Sequence, residues 1–309
     1  FSAIALIYYL KKNKETFDIN LSYLYFFPQL IAGPIVRPNE LIPQIKAAKE
    51  SKNLNKDIFF GLFIFSIGIL IKVFIADSIS DYIRPTFDNL DNLLFKDKLI
   101  ALYLFSQQIF FDFNGYTLMA IGIGKTLGIN LPENFNTPYL SESISSFWKR
   151  WHITLSNWIK DFIYIPLGGS KLGAKKKYNN ILIAMLISGI WHGAGINFLL
   201  WGFLHGLIII IEKLFTKFTN FKISKFFKIF ITFNLVTFLW LFFRVESFKD
   251  INLFFNNFSI NELLDIKFIF FILCIFLLNN FKKFLKINFL EKAFNSINKF
   301  FCLIFSIFI

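Results

Sequence analysis

A succession of long apolar runs constrains this chain most strongly. Residues 58–76 form one such run, with Lys72 as its only charged residue, and residues 181–211 form a longer one. Crossing the hydrocarbon core of a bilayer takes about 20 apolar residues. The longer run exceeds that length and is interrupted at 193–195 by Gly-Ala-Gly, so we predict two segments or a broken helix there. Further apolar runs lie at 99–111, 229–243 and 266–278, with partial ones at 1–10 and 300–309. The sequence therefore predicts an all-α polytopic membrane protein with about five to seven spans.

The composition excludes other classes of protein. Hydrophobic residues make up 55% of the chain and charged residues 17%, and the mean hydropathy is +0.56. Disordered chains and ordinary soluble enzymes are less apolar and more charged. The net charge of +13 comes from basic residues that lie between the apolar runs, so we assign it to loops that meet lipid headgroups. No nucleic-acid motif accompanies this charge, and no cysteine or histidine spacing indicates a metal site, so we expect neither nucleic acid nor metal as a partner.

The segment at 146–162 has a helical pattern of its own. At 100° per residue, Trp148, Trp151, His152 and other apolar residues fall on one face, and the charged residues fall on the other. We predict an amphipathic helix that lies in the membrane interface or packs on a bundle. Ser145 or Ser146 is the expected N-cap, and Pro-Leu-Gly-Gly at 166–169 is expected to end the helix.

His192 lies in the middle of the most apolar stretch, in the motif Ser-Gly-Ile-Trp-His-Gly-Ala at 188–194. An ionisable side chain at that depth is costly and usually faces a cavity or a partner. Burial favours the neutral imidazole, which can accept a proton from a hydroxyl group. The alternative is a histidine that hydrogen-bonds a neighbouring helix. Gly189 and Gly193, four residues apart, allow a helix or a substrate to approach closely.

Other polar residues are open to two interpretations. His152 and His205 could contribute to a site or could be satisfied core histidines, and packing is the more typical role for His205, which lies between Gly202 and Gly206. Arg150 could bind a phosphate or face headgroups.

A further polar cluster, Phe-Asp-Phe-Asn-Gly-Tyr, occupies 111–116. Asp112 could be a buried acid. Asn114 and Gly115 could simply form a turn.

Several short motifs follow one another along the chain. They lie at 26–35, 111–116, 119–122, 132–136, 138–139, 147–156, 164–169, 191–194, 200–202 and 205–206. In this order they resemble the membrane-bound O-acyltransferase family, in its bacterial branch of alginate and peptidoglycan O-acetyltransferases. The resemblance covers most of residues 20–210, and beyond 210 only the hydrophobicity matches.

The resemblance implies a helical bundle around a tunnel, here a single domain over 1–309. The chain begins at Phe1 without an initiator Met and stops within an apolar run, so we expect a fragment that lacks the family's N-terminal helices. By resemblance His192 matches the family's catalytic histidine, and His152 matches a second histidine that assists it. We predict substrate-binding or supporting roles for Trp151, Trp191, Arg150, Asp112, Asn114 and His205.

The resemblance also implies a reaction. The donor is acetyl-CoA or a related acyl thioester on the cytoplasmic side, with no bound cofactor, whereas D-alanine-transferring relatives use a carrier protein. The acyl group passes through the tunnel to a periplasmic partner acyltransferase, and a cell-surface polysaccharide, alginate-like or peptidoglycan, is the final acceptor. The expected location is the bacterial inner membrane, with several spans. The alternatives are a polytopic transporter or export component without acyl-transfer chemistry, and a purely structural membrane subunit.

Overall fold

A computed structural model describes residues 1–11, 13, 15–30, 32–48, 55–218 and 223–307. Ile31 of the motif at 26–35, and Phe308 and Ile309 of the terminal apolar run, lie outside these residues. Within the described ranges every regular element is helical. The α-helices are α1 (Ser2–Leu10), α2 (Phe17–Leu24), α3 (Pro38–Ala48), α4 (Asn55–Leu70), α5 (Ser78–Asp88), α6 (Phe95–Thr126), α7 (Ile144–Trp148), α8 (Ile153–Ile159), α9 (Gly173–His192), α10 (Ile196–Phe218), α11 (Lys225–Arg244), α12 (Phe248–Phe255), α13 (Ile260–Leu263), α14 (Ile266–Leu278) and α15 (Ile287–Ile307).

Shorter helical turns connect some of these helices. Ile71–Asp77 and Lys160–Tyr164 are π-helical, and Phe27–Gln29, Leu90–Asn92, Pro138–Leu140 and Asn279–Leu285 are 3-10 turns. The chain divides into two compact units. The first comprises Phe1–Ile75, Phe111–Asn136 and Phe281–Ile309, and the second comprises Ala76–Phe110 and Thr137–Asn280.

Four helical segments of the described chain are long and apolar enough to cross a membrane. They are Asp57–Asp88, Ile196–Phe218, Lys225–Arg244 and Ile266–Leu285. These segments contain the predicted runs at 58–76, 229–243 and 266–278, and the second half of 181–211. The run at 99–111 lies in α6, where Gln107, Gln108 and Asp112 reduce the apolarity. The prediction of an all-α polytopic membrane protein is confirmed, with four such segments rather than five to seven.

The long run at 181–211 is broken as predicted, because α9 ends at His192 and α10 begins at Ile196. The two helices pack backbone to backbone. A Cβ on Gly202 would overlap the carbonyl oxygen of Met185, and one on Gly189 would overlap that of Phe198. The close approach of a helix backbone expected at Gly189 is therefore confirmed. A Cβ on Gly193 would instead meet ring atoms of the Phe198 side chain.

The first unit contains a second close helix crossing. A Cβ on Gly68 of α4 would lie 2.7 Å from the carbonyl oxygen of Gly115 in α6. Asn114 and Gly115 thus lie inside a continuous helix, and the interpretation of these residues as a turn is wrong. Glycine is needed there because the two backbones touch, not because the chain reverses.

The prediction of one amphipathic helix over 146–162 is wrong. Helix α7 ends at Trp148, α8 begins at Ile153, and His152 between them has a left-handed backbone with φ 43°. A residue in that conformation cannot continue an α-helix. The N-cap is Ser143 rather than Ser145 or Ser146, since its Oγ accepts a hydrogen bond of 3.0 Å from the Ser146 N–H.

The predicted distribution of side chains over 146–162 holds despite the break. The aromatic face is buried at Trp148, Trp151, His152 and Trp158, and Lys149, Asn157 and Lys160 are exposed. The segment ends before 166–169 as expected, where Gly168 and Gly169 have positive φ. The segment therefore packs within the second unit rather than lying free at an interface.

Candidate active site

His192 is the last residue of α9 and lies half-buried among aromatic rings of the second unit. Its ring centroid is 5.2 Å from that of Trp201 and 4.9 Å from that of Phe243, both edge to face. Within the described part of the chain, ring contacts hold the imidazole, and no hydrogen bond to another residue occupies its nitrogens. An imidazole held in this way keeps its nitrogens available for a reacting hydroxyl group.

His152 lies close to His192, across the indole of Trp191. The Trp191 ring is 6.1 Å from that of His152 and 4.6 Å from that of His192. His152 is 4% exposed. Burial lowers its pKa to about 3, and His192 nearby shifts it in the same direction. The structure thus brings together the two histidines and Trp191, and their roles in a site remain predictions.

The low pKa of His152 predicts an effect on stability. The folded chain holds this group neutral, whereas the unfolded chain protonates it near its ordinary pKa of 6.5. The neutral group therefore stabilises the fold above that value, and this stabilisation is lost as the pH falls towards the folded pKa.

A variant at this position tests the effect. Asn accepts a positive φ and does not titrate. We therefore expect that lowering the pH from about 7 to about 4 destabilises His152→Asn less than it destabilises the wild type. Thermal unfolding in detergent measures this, and equal losses in the two proteins would contradict it.

His205 is fully buried in α10 and belongs to the packing around Trp201. The indole Nε1–H of Trp148 donates to His205 Nδ1 at 3.3 Å. The ring of His205 also lies edge-on to Trp201, with centroids 4.9 Å apart. His205 therefore positions Trp148 and Trp201, and its predicted role as a supporting residue fits this place better than contact with substrate.

Trp151 packs into an aromatic cluster of the second unit. Its ring stacks on Phe147 at 5.5 Å and lies 5.0 Å from Trp240. The Trp240 indole N–H donates to the Tyr139 hydroxyl at 3.1 Å, and that hydroxyl donates to the carbonyl of Ser106. Trp151 thus acts through packing and sets the position of the break that carries His152.

The remaining predicted site residues make other contacts. Arg150 is half-buried in the break between α7 and α8. Asp112 and Asn114 belong to the first unit, where the Asp112 carboxylate forms an ion pair of 2.8 Å with Lys72 and Asn114 is buried. The supporting roles of these three residues remain predictions.

The structure adds residues that the sequence reasoning missed. Phe243 and Trp240 lie on α11, beyond the part of the chain whose motifs resemble the family. Asn197 of α10 donates to the carbonyl oxygens of Phe242 at 3.3 Å and Val245 at 2.8 Å, and so fixes the end of α11 beside His192. Trp240 is the only tryptophan of the chain after 201, which is the one signal that could have indicated it.

Glu212 is a further residue that the sequence patterns did not indicate. Its carboxylate accepts hydrogen bonds from the N–H groups of Ile144 at 2.7 Å and Ser145 at 3.4 Å, the first residues of α7. An anion at a helix N-terminus satisfies N–H groups that the helix itself leaves unpaired. The carboxylate therefore anchors the segment that leads to His152.

We expect Glu212→Ala to destabilise the protein by about 2 kcal/mol, because two N–H groups lose their acceptor. Glu212→Gln keeps one acceptor oxygen, so its loss should be smaller. Thermal unfolding of the detergent-solubilised variants measures both, and an unchanged melting temperature in Glu212→Ala would contradict this role.

Known proteins match this chain over about three quarters of its length. The model of the membrane-bound O-acyltransferase family matches residues 17–248, which include every residue of the cluster described above. A peptidoglycan O-acetyltransferase of Helicobacter pylori is 44% identical over 232 residues, which is 74% of this chain and 44% of the relative. A probable alginate O-acetylase of Pseudomonas putida is 38% identical over 226 residues, 73% of this chain and 46% of the relative. The chain thus spans less than half the length of these relatives.

Proposed function

The chain belongs to the membrane-bound O-acyltransferase family, and on that premise we propose that it acts in the O-acetylation of a cell-surface polysaccharide. The observation that carries the proposal is the pair of histidines, His152 and His192, held on either side of Trp191 in an aromatic surround. Relatives named for peptidoglycan and alginate O-acetylation support an alginate-like polymer or peptidoglycan as the class of acceptor.

The proposed chemistry is transfer of an acetyl group from a thioester to a hydroxyl. A ring nitrogen of neutral His192 accepts the proton of the acceptor hydroxyl, while the hydroxyl oxygen bonds to the thioester carbonyl carbon. The carbon–sulfur bond then breaks, and the leaving thiolate takes the proton from His192. The products are an acetyl ester and a free thiol, and no cofactor is consumed.

His152 has a separate role in this scheme. Its burial keeps the imidazole neutral, so it can donate one N–H hydrogen bond to the carbonyl oxygen as negative charge develops there. The left-handed backbone at His152 turns the side chain out of the helical path and towards Trp191. His152 would therefore stabilise the oxyanion or orient the substrate.

The proposal includes a direction of transfer. We propose that acetyl-CoA or a related acyl thioester enters from the cytoplasmic side of the bacterial inner membrane. The acetyl group leaves through the bundle towards a periplasmic partner acyltransferase. Four apolar helices in the described part of the chain are long enough to span a bilayer, which supports the membrane location alone.

Cells that carry His192→Ala test the proposal. Ester-linked acetate is released by alkali from purified surface polysaccharide and compared with that of wild-type cells at equal levels of membrane-inserted protein. We expect the acetate that depends on this protein to be lost. Wild-type acetylation in cells with His192→Ala would overturn the proposal.

A further inference from the structure

A cavity of about 280 Å³ lies in the second unit, and Trp148 is one of the residues that line it. Its walls are mostly apolar and come from α7, α8, α9 and α10, with Trp148, Leu155, Ile181 and Ile209 among them. Its size is close to the lower end of the range for small-molecule sites. The apolar walls suit a hydrocarbon chain.

Three lysines line the same cavity: Lys149, Lys160 and Lys213. Lys149 and Lys177 both repel the charge of Lys213. Glu212 is near Lys213, but its carboxylate is bound to the N–H groups of α7. None of the three lining lysines forms an ion pair with a carboxylate in the described part of the chain. Such a concentration of positive charge is stabilised by a bound anion.

A buried hydroxyl group also lines the cavity. Ser188 is 1% exposed, and its Oγ has no hydrogen-bond partner among the described residues. Buried hydroxyl groups are normally hydrogen-bonded. An occupant with an ester or carbonyl oxygen would supply the acceptor that this hydroxyl lacks.

We propose that this cavity binds an anionic phospholipid, with its phosphate at the lysines and one acyl chain along Trp148. The three features fit one molecule: cationic side chains for the headgroup, apolar walls for the chain and the Ser188 hydroxyl for an ester carbonyl. The bound lipid would contact the same indole that donates to His205, so the site lies beside the packing around Trp201 without being part of the proposed chemistry.

Lipid binding to the purified, delipidated protein tests the proposal. Native mass spectrometry measures retention of phosphatidylglycerol and of phosphatidylcholine by the wild type and by Lys149→Gln/Lys160→Gln. Both lysines are exposed, so the double variant should fold. We expect the wild type to retain phosphatidylglycerol preferentially, and the variant to bind it about 20-fold more weakly. The matched control is Lys249→Gln/Lys292→Gln, which removes the same charge at exposed positions that do not line the cavity and should bind as the wild type does.

Two further measurements complete the test. Ala184→Phe fills the cavity from α9 and should also weaken binding. Equal retention of the two lipids by the wild type, or undiminished phosphatidylglycerol binding by the lysine variant, would overturn the proposal. Displacement of the lipid by coenzyme A or by inorganic phosphate would overturn it too, because the site would then recognise a phosphate group alone. The readout involves no acetyl transfer, so its failure leaves the proposed function untouched.

Discussion

Replacing His192 by alanine is expected to slow acetyl transfer by the purified protein by about 10²- to 10⁴-fold, the usual contribution of a positioned general base. The reason is chemical rather than structural. The imidazole is half-buried and, among the described residues, is held by ring contacts, so its loss removes the base while the helix crossing at Gly189 and Gly202 remains. Release of free thiol from an acetyl thioester, measured at equal concentrations of folded protein, gives the rates.

Two further variants separate the base from the space it fills. His192→Gln keeps a polar side chain of similar size without a usable base, so it should be as slow as His192→Ala. Ile187→Ala truncates an exposed apolar side chain of the same helix and should transfer at close to the wild-type rate. A fast His192→Gln, or a slow Ile187→Ala, would contradict the assignment of His192 as the base.

Gly202→Ala is expected to prevent normal folding, at a cost of about 3 kcal/mol or more. The added Cβ would overlap the carbonyl oxygen of Met185 and lie 3.3 Å from the Cα of Gly189. Both contacts are with the main chain of α9, which cannot move without separating the two helices. The yield of monodisperse protein in detergent and its melting temperature measure the effect.

Gly206→Ala, one turn further along α10, is the matched control. Its Cβ would lie 3.1 Å from Leu182 Cδ2 and 3.3 Å from Met185 Cβ, so its neighbours would have to move by only a few tenths of an ångström. Alanine is also the better helix former, so this variant should be about as stable as the wild type. Equal stability of Gly202→Ala and Gly206→Ala would show that the α9–α10 crossing is looser than described.

The apolar runs at 58–76, 229–243 and 266–278 and the glycine interruption at 193–195 were enough to predict the apolar helices there and the break that follows His192. The break before α8 could not be predicted, because a period of 3.6 places Trp148, Trp151 and His152 on one face whether the helix is continuous or not. The left-handed residue there is His152 rather than glycine, so no residue type signals it. The rings of Phe147, Trp151 and Trp240 favour the broken form through packing, which outweighs local helix propensity.

The surroundings of His192 were only partly predictable for a related reason. Trp191 is its neighbour in sequence, and Trp201 follows on the next helix, so both were within reach of a local pattern. Phe243 comes from α11, about 50 residues away in the chain, and meets the imidazole where Asn197 hydrogen-bonds the end of α11. Contacts of this kind depend on tertiary packing, and a single sequence does not specify them.

The claim of covalent acyl transfer is tested most directly by following the acetyl group. The wild-type protein in sealed vesicles is given a thioester labelled in its acetyl group, together with a hydroxyl acceptor. The account predicts free thiol in an amount equal to the label recovered as alkali-labile ester or free acetate, with both formed at least about 10²-fold more slowly by His192→Ala. Label that crosses the membrane still attached to its thiol, with no thiol released, would indicate transport without chemistry and contradict the account.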